Sequence, residues 1–414
     1  MKDQEKFITL YPSHWLYNAG VVGLLEVITV NQNNLDDFLK PEGTVNIPSS
    51  YFHISSENKL PKGIKYLVQF QTSENEVEEW KHRKGKIKNK EGKKVEVTYA
   101  DKYKNILDKV GEIGYQYIKT GNSLFASKTP FQNLIQLSEW ESLEFPNLIS
   151  KIPEYISEKS DEKCGICLQN PVVIKNEDSK LEVRLAKLQI SHLKELGASE
   201  GAFPNAFWSF TQTVPVCLLC SFLIIHHKIS FLRLSDGTEI FINAPSFKLM
   251  YDLNKFAKKV LGSTSKGETG ERREILAMSI IEYATKIQTT LGAWSKLDIE
   301  IISKTKAGID FFSLPSDVIS LISDREIASQ LSSIGEFKIL NLVLDRKFQN
   351  LVEIGYRIMR EALSPRRNNK YIWDTLYLQK NRDNLLETAS QILKLYALIE
   401  DKFQTLKQKN FVYG

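Results

Sequence analysis

The chain has 414 residues, a formal net charge of +5, and 42% hydrophobic, 10% aromatic and 25% charged residues. This composition excludes the collagen-like and disordered classes, and a chain of this length is expected to divide into two or three domains. The small positive excess permits a nucleic-acid partner without requiring one, so the placement of the basic residues matters more than their sum.

Neither the N-terminal segment nor the longest apolar run predicts a membrane protein. The N-terminal segment "MKDQEKFITLYPSHW" has no apolar stretch and no small-residue cleavage site of a secretory signal. The longest uncharged apolar run, 214–225, has 12 residues and is too short to span a bilayer. We therefore expect a cytoplasmic protein with no membrane partner.

The first predicted element is a helix over residues 13–30, "SHWLYNAGVVGLLEVITV". Its apolar residues recur near the 3.6-residue period, and Ser13 can cap its N-terminus. A glycine inside a helix costs about 1 kcal/mol relative to alanine. Gly20 and Gly23 therefore predict that another backbone packs closely on their face, so this helix belongs to the core.

Residues 64–100 have a strand-like pattern in "IKYLVQFQ" and "KKVEVTYA", with a strongly basic loop between these segments. The basic residues of this loop are Lys81, Arg83, Lys84, Lys86, Lys88, Lys90, Lys93 and Lys94. A solvated hairpin tip is one interpretation, and a flexible loop that binds phosphates is the other. No aromatic residue interrupts the run, so the loop would bind the nucleic-acid backbone and not read bases.

Helical patterns over 101–119 and 131–157 flank a connector at 119–133. Its candidate contacts to base edges or phosphates are Lys119, Asn122, Ser123 and Lys128. A polar turn without such a role is the alternative.

All four cysteines of the chain stand in two Cys-x-x-Cys pairs, which we call the first knuckle (164–167) and the second knuckle (217–220). The spacing predicts a tetrahedral structural zinc site with the ligands Cys164, Cys167, Cys217 and Cys220. The 49 residues between the knuckles exceed the roughly 15–20 of a compact zinc ribbon, so the pairs would form a clasp around a sub-domain. A redox-active Cys-x-x-Cys is the alternative, and the neighbouring His226 and His227 are interpreted as ordinary helix residues.

The remainder predicts a hairpin around Gly237, helices over 245–261 and 272–294, a second hairpin ending at Pro315, and helices from there onwards. The predicted fold class is α+β, with a mixed N-terminal body, a four-cysteine zinc clasp and an all-helical C-terminal domain. The predicted domains are 1–160 (DNA-motif and guide contacts), 161–315 (zinc clasp and hairpins) and 316–414 (helical bundle).

No convincing catalytic constellation is present, so we expect no enzyme. Asp298, Glu300 and Lys304 loosely resemble a nuclease triad but stand in a hairpin of mixed residues. A metal-dependent nuclease built on Asp298 and Glu300 is therefore a weaker alternative.

Three features together resemble the CRISPR-associated CXXC-CXXC family. They are "HWLYNAGVVGLLEVI" near the N-terminus, "CGIC" and "CLLC" as the two knuckles with their wide spacing, and the order of mixed body, clasp and helical region. The resemblance covers about residues 10–315. It implies the large subunit of a type I, subtype I-B, effector complex (Cascade) of a prokaryotic cytoplasm.

The resemblance also implies the partners. Such a subunit would contact the 5′ handle of the crRNA guide, recognise the protospacer-adjacent motif on target double-stranded DNA and begin strand separation. It would sit beside backbone and small subunits and recruit a helicase-nuclease or a transposition protein. A stand-alone zinc-stabilised nucleic-acid-binding protein is the main alternative.

Overall fold

The structure is a computed structural model, and it describes most of the chain. The described residues are 6–31, 35–54, 60–81, 83–88, 94–125, 134–156, 163–170, 186–189, 213–234, 237–263, 277–281, 299–304, 309–364 and 384–412. Among them the fold is mixed α+β, as predicted, and the region after Pro315 is helical.

Ten strands form one four-stranded and three two-stranded antiparallel sheets in the described part of the chain. The strands are β1 (Phe7–Leu10), β2 (Val45–Pro48), β3 (Lys84–Lys88), β4 (Lys94–Thr98), β5 (Ala186–Gln189), β6 (Thr213–Val216), β7 (Leu232–Arg233), β8 (Glu239–Asn243), β9 (Glu300–Lys304) and β10 (Ile309–Ser313). The four-stranded sheet has the order β10-β9-β8-β7, and the pairs β1-β2, β3-β4 and β5-β6 make the others. Both predicted hairpins are confirmed, β7-β8 with Gly237 at φ +84° and β9-β10 before Pro315.

Among the described residues, the first half of the chain contributes nine α-helices and the middle contributes three more. They are α1 (Trp15–Asn31), α2 (Lys62–Gln71), α3 (Glu74–Lys81), α4 (Tyr99–Lys102), α5 (Lys104–Val110), α6 (Gly114–Phe125), α7 (Leu137–Glu141), α8 (Glu144–Ser150), α9 (Ile152–Tyr155), α10 (Leu218–Ile224), α11 (His227–Ser230) and α12 (Phe247–Ser263). Residues 277–281 are also helical. The C-terminal helices are α13 (Ser316–Ile322), α14 (Arg325–Ile334), α15 (Phe337–Leu344), α16 (Phe348–Leu363) and α17 (Leu385–Val412).

Helix α1 lies at the centre of the fold. Every residue from 16 to 25 is buried, which is the pattern of a helix that is apolar on all sides and enclosed by protein. It packs against α2, α10, α11 and α12. A Cβ on Gly20 or Gly23 would approach the carbonyls of Leu223 and His226 to less than 3.0 Å. The predicted close backbone contact is therefore confirmed.

The hydrophobic core is one continuous cluster. It contains Val45 of β2, Ile301 of β9 and Ile399 of α17, so all three predicted domains contribute side chains to it. The division at residues 160 and 315 stays a prediction.

Two predictions about local structure were wrong. The segment "IKYLVQFQ" forms α2 and not a strand, because Ile64, Leu67 and Val68 recur at helical spacing and are buried together. The predicted connector at 119–133 begins later, since α6 continues to Phe125. Burial of Phe125 against Trp140, with ring centroids 5.0 Å apart, favours these additional turns.

Candidate metal centre

The first knuckle is a tight turn that the backbone holds in place. The Cys164 amide donates to the Asn170 carbonyl, and the Leu168 amide donates to the Cys164 carbonyl, each at 2.9 Å. The Gly165 amide donates to Pro215 of β6 at 2.9 Å, so the strand before the second knuckle also fixes the first. Leu168, and not Gly165, adopts a left-handed conformation, with φ +59°.

The second knuckle is the N-terminus of a buried helix. Strand β6 ends at Val216, and Cys217 is the N-cap of α10, where its Sγ accepts from the Cys220 amide at 3.3 Å. All seven side chains of α10 are buried. The apolar sequence around "CLLC" therefore anchors two of the four sulfurs in the core.

The four cysteines meet at one point. All four Sγ atoms lie within 4.8 Å of one another, and Cys167 Sγ is 3.9 Å from Cys217 Sγ. Tetrahedral zinc with Zn–S bonds of about 2.3 Å requires sulfurs about 3.8 Å apart. A disulfide requires about 2.05 Å, and the four residues are free cysteines. The cluster therefore fits a metal ion held by Cys164, Cys167, Cys217 and Cys220.

Burial and hydrogen bonds set the electrostatics of the centre. Burial raises the pKa of the Cys217 and Cys220 thiols well above their usual value, so a bound cation would be needed to hold both as thiolates. Hydrogen bonds from the other cysteines, Cys164 first, lower the pKa of Cys167. Burial, followed by the negative charge of the cysteines, raises the pKa of Tyr17 on α1. Loss of the Cys217 and Cys220 thiol protons is therefore coupled to the binding of a metal ion.

Amide groups contact three of the sulfurs. The Ile166 amide donates to Cys164 Sγ at 3.4 Å, and the Asn170 side-chain amide donates to Cys167 Sγ at 3.5 Å. Such outer contacts orient metal ligands and reduce their negative charge. Sequence reasoning missed Asn170, although its position three residues after Cys167 was a usable signal.

A hydrogen bond joins the first knuckle to the start of α1. Ser13 Oγ donates to the Ile166 carbonyl at 2.7 Å. The Asn18 side-chain amide donates to the Ser13 carbonyl at 2.8 Å and to Asn243 Oδ1 of β8 at 2.9 Å. The metal centre, α1 and the four-stranded sheet are therefore connected through polar side chains.

His226 and His227 do not belong to the sulfur cluster. Both are buried, and their Nδ1 atoms lie 2.9 Å from the carbonyls of Phe222 and Ile224. Burial lowers the pKa of His226 to about 4 and that of His227 to about 3. Both imidazoles are therefore neutral at pH 7.

The basic segment predicted as a loop is largely a two-stranded hairpin. Lys84, Lys86 and Lys88 occupy alternate positions of β3, with Lys86 opposite Glu96 and Lys88 opposite Lys94. Arg83, Lys84 and Lys94 are exposed, and Lys84 makes a 3.8 Å ion pair with Glu96. Lys81 ends α3. Lys90 and Lys93 lie outside the described residues.

The other predicted nucleic-acid contacts lie on α6 and are partly engaged within the chain. Lys119 makes a 3.0 Å ion pair with Glu76, and Asn122 donates to the Ile118 carbonyl at 2.9 Å. Ser123 is exposed on the same helix. Lys128 lies outside the described residues.

The residues of the nuclease alternative have other partners. Glu300 accepts a hydrogen bond from Asn243 at 3.1 Å, at one end of β9. Lys304, at the other end, pairs with Glu239 at 3.3 Å. Asp298 lies outside the described residues. The structure thus brings the four cysteines together but does not bring Glu300 and Lys304 to one site.

Across the described ranges, no helix combines the length and the apolar character needed to cross a membrane. A scan against protein-family models gives no match, and comparisons with curated proteins and with solved structures give none either.

Proposed function

We propose that this chain is the large subunit of a crRNA-guided type I CRISPR effector complex. In this role it contacts the 5′ handle of the guide, recognises the protospacer-adjacent motif on duplex DNA and begins target unwinding. Its further partners are the backbone and small subunits and a recruited helicase-nuclease or transposition protein.

The observation that carries this proposal is the contact between the motifs of the family resemblance. Helix α1, with the "HWLYNAGVVGLLEVI" motif, packs through Gly20 and Gly23 on the backbone that follows the second knuckle. Ser13, two residues before α1, donates to the Ile166 carbonyl inside the first knuckle. Motifs far apart in sequence thus form one packed unit, as expected if they belong to one family-specific core.

The proposed metal is zinc in a structural role. Four thiolates saturate a tetrahedral ion and leave no open position for a substrate. The finer architecture belongs to the same proposal: an N-terminal body for DNA-motif and guide contacts, a zinc clasp and a C-terminal helical domain.

The proposed phosphate-binding surface is the β3-β4 hairpin with its exposed Arg83, Lys84 and Lys94. Alternate strand residues are about 6.6–6.8 Å apart, which is about twice the 3.4 Å rise per phosphate along one DNA strand. Lysines at alternate positions of β3 are therefore spaced to follow a phosphate backbone. Lys119 is a weaker candidate, because its ion pair with Glu76, at 3.0 Å, is closer than the 3.8 Å pair of Lys84 with Glu96.

The test is co-purification of the tagged chain from its native operon, with sequencing of bound RNA. We expect repeat-derived guide RNA together with backbone subunits. A protein that elutes alone, metal-loaded and without RNA, would contradict the proposal and favour a stand-alone nucleic-acid-binding protein.

A further inference from the structure

Leu168, at the tip of the first knuckle, is strongly exposed although its backbone is strained. It adopts φ +59°, in the left-handed region that residues with a Cβ rarely occupy, and it is 71% exposed. The knuckle fixes this conformation, because the Leu168 amide donates to the Cys164 carbonyl at 2.9 Å. Leucine at this position therefore combines backbone strain with the exposure of a large apolar group to water.

Two other non-glycine residues of the described chain have a positive φ, and each has a compensating contact. Leu143, at φ +67°, is buried in the core, where apolar packing offsets the strain. Arg346, at φ +58°, makes a 2.6 Å ion pair with Asp317. Leu168 is not buried, and its side chain carries no charge. A glycine would form the same turn without strain, so folding alone does not account for this leucine.

Two exposed aromatic residues lie close to the same knuckle. Ser13 donates to the Ile166 carbonyl at 2.7 Å, so the chain on either side of Ser13 lies near the knuckle. Tyr11, two residues before Ser13, is 50% exposed. Trp15, two residues after it, packs edge-on against the 57% exposed Phe311, with ring centroids 6.5 Å apart. Exposed apolar side chains thus gather around the Ser13–Ile166 bond, and we call this set the knuckle surface: Leu168, Tyr11 and Phe311.

The composition of the knuckle surface favours a protein partner over a nucleic acid. Protein interfaces are enriched in aromatic residues and depleted of charge at their centre, and clustered exposed apolar residues mark such sites. Nucleic-acid surfaces instead use lysine and arginine to neutralise phosphates. Lys163, one residue before the knuckle, is exposed and makes no ion pair with another described residue. A fitting partner therefore has an apolar socket with a carboxylate at its rim.

We propose that the knuckle surface, with Leu168 at its centre, docks into an apolar socket with an acidic rim on a protein partner. The inference rests on the proposed function, which supplies the class of partner, the backbone subunits of the guide complex. On docking, the Leu168 side chain leaves water, and its burial offsets the backbone strain. The metal centre then does more than stabilise the fold, because it fixes the turn that presents Leu168.

The first measurement compares the urea midpoint of unfolding of the full-length wild-type protein with that of Leu168→Gly. We expect the midpoint of Leu168→Gly to equal or exceed that of wild type, because glycine adopts a left-handed conformation without strain. A lower midpoint would show that the leucine side chain stabilises the fold, and it would overturn the inference.

The second measurement is the dissociation constant for the backbone-subunit complex with its guide RNA. This probe is purified from the native operon after deletion of the gene for the present chain. We expect Leu168→Gly to weaken binding by at least about tenfold, as for truncation of a central interface residue. The matched control is Leu363→Gly, because Leu363 at the end of α16 is 68% exposed and does not have a positive φ. This variant should bind as tightly as wild type.

Each outcome separates the inference from the proposed function. Wild-type affinity in Leu168→Gly, or the same loss in Leu363→Gly, would overturn the inference and leave the proposed function standing. A wild-type chain that does not bind the probe would refute the proposed function and, with it, the backbone subunits as partner. Weaker binding of Leu168→Gly to the guide RNA free of protein would assign the knuckle surface to nucleic acid and overturn the inference as well.

Discussion

Replacing Gly23 by alanine tests whether the contact between α1 and the second-knuckle segment stabilises the fold. An added Cβ would lie 2.9 Å from the carbonyl carbon of His226, 3.3 Å from its Cβ and closer still to its carbonyl oxygen. The atoms it meets are mostly backbone, which cannot rotate away. Helices α2, α10, α11 and α12 enclose α1, so the helix has no direction in which to move.

The magnitude follows from two opposing effects. Overpacking a well-filled core costs typically 1–3 kcal/mol, and we take about 3 because backbone atoms clash. Alanine regains about 1 kcal/mol over glycine in a helix. We therefore expect a net loss of about 2 kcal/mol in the free energy of unfolding.

The assay is urea denaturation of Gly23→Ala beside wild type, with the rate of cysteine alkylation as a second measurement. Displacement of the His226 segment should loosen α10 and speed alkylation. The control is Gly111→Ala, where a Cβ meets nothing within 4 Å although φ is +78°. This variant should lose about 1–3 kcal/mol through backbone strain, because φ +78° with ψ −149° is a conformation that is essentially restricted to glycine, but its cysteines should not be alkylated faster. A Gly23→Ala protein as stable as wild type would refute the close-packing explanation.

Three further outcomes follow from the same structure. Cys217→Ser should reduce the bound metal from one ion per chain towards none, because it removes one of the four sulfur ligands, while serine can still cap α10. Elemental analysis would detect the loss, and full metal content would contradict the four-cysteine site. Lys84→Gln combined with Lys94→Gln should reduce the slope of log affinity for duplex DNA against log salt by about 1.8, at about 0.9 per phosphate contact. As a control, Lys255→Gln, at an exposed position of α12, should leave the slope unchanged. An unaltered slope in the double variant would exclude the β3-β4 hairpin as the phosphate-binding surface. Protonation of His226 alone should lower the free energy of unfolding by about 1.4 kcal/mol per pH unit, as the pH falls from 6.5 towards the folded-state pKa of about 4. The reason is that His226 takes up its proton at a higher pH in the unfolded chain than in the folded protein. Denaturation measured at several pH values should therefore show a shallower decline of the free energy of unfolding in His226→Gln.

The local signals in the sequence were sufficient for part of the fold. Two Cys-x-x-Cys pairs predict a shared site because each pair positions two sulfurs by its own turn. Gly20 and Gly23 predict close backbone contact because a glycine destabilises a helix relative to alanine, and close packing of another backbone can offset that cost. Neither inference needs knowledge of distant residues.

The remaining features depend on long-range contacts that a sequence does not specify. The segment of α2 contains β-branched and aromatic residues, which are typical of a strand. Only the burial of one helical face decides that it forms a helix and not a strand. Lys119 and Asn122 are polar in a glycine-containing segment, but α6 continues through them because Phe125 packs on Trp140. Ser13 bonds to the Ile166 carbonyl across 153 positions of sequence, and no local pattern marks that contact.

Native mass spectrometry of the intact purified chain tests the central structural claim, that one metal ion held by four thiolates closes the fold. We expect a mass increase of one zinc ion per chain, four unmodified cysteines after denaturation with chelator, and alkylation in the folded state that requires the chelator. A chain without metal, with two disulfides or with thiols that react freely in the folded state, would contradict it.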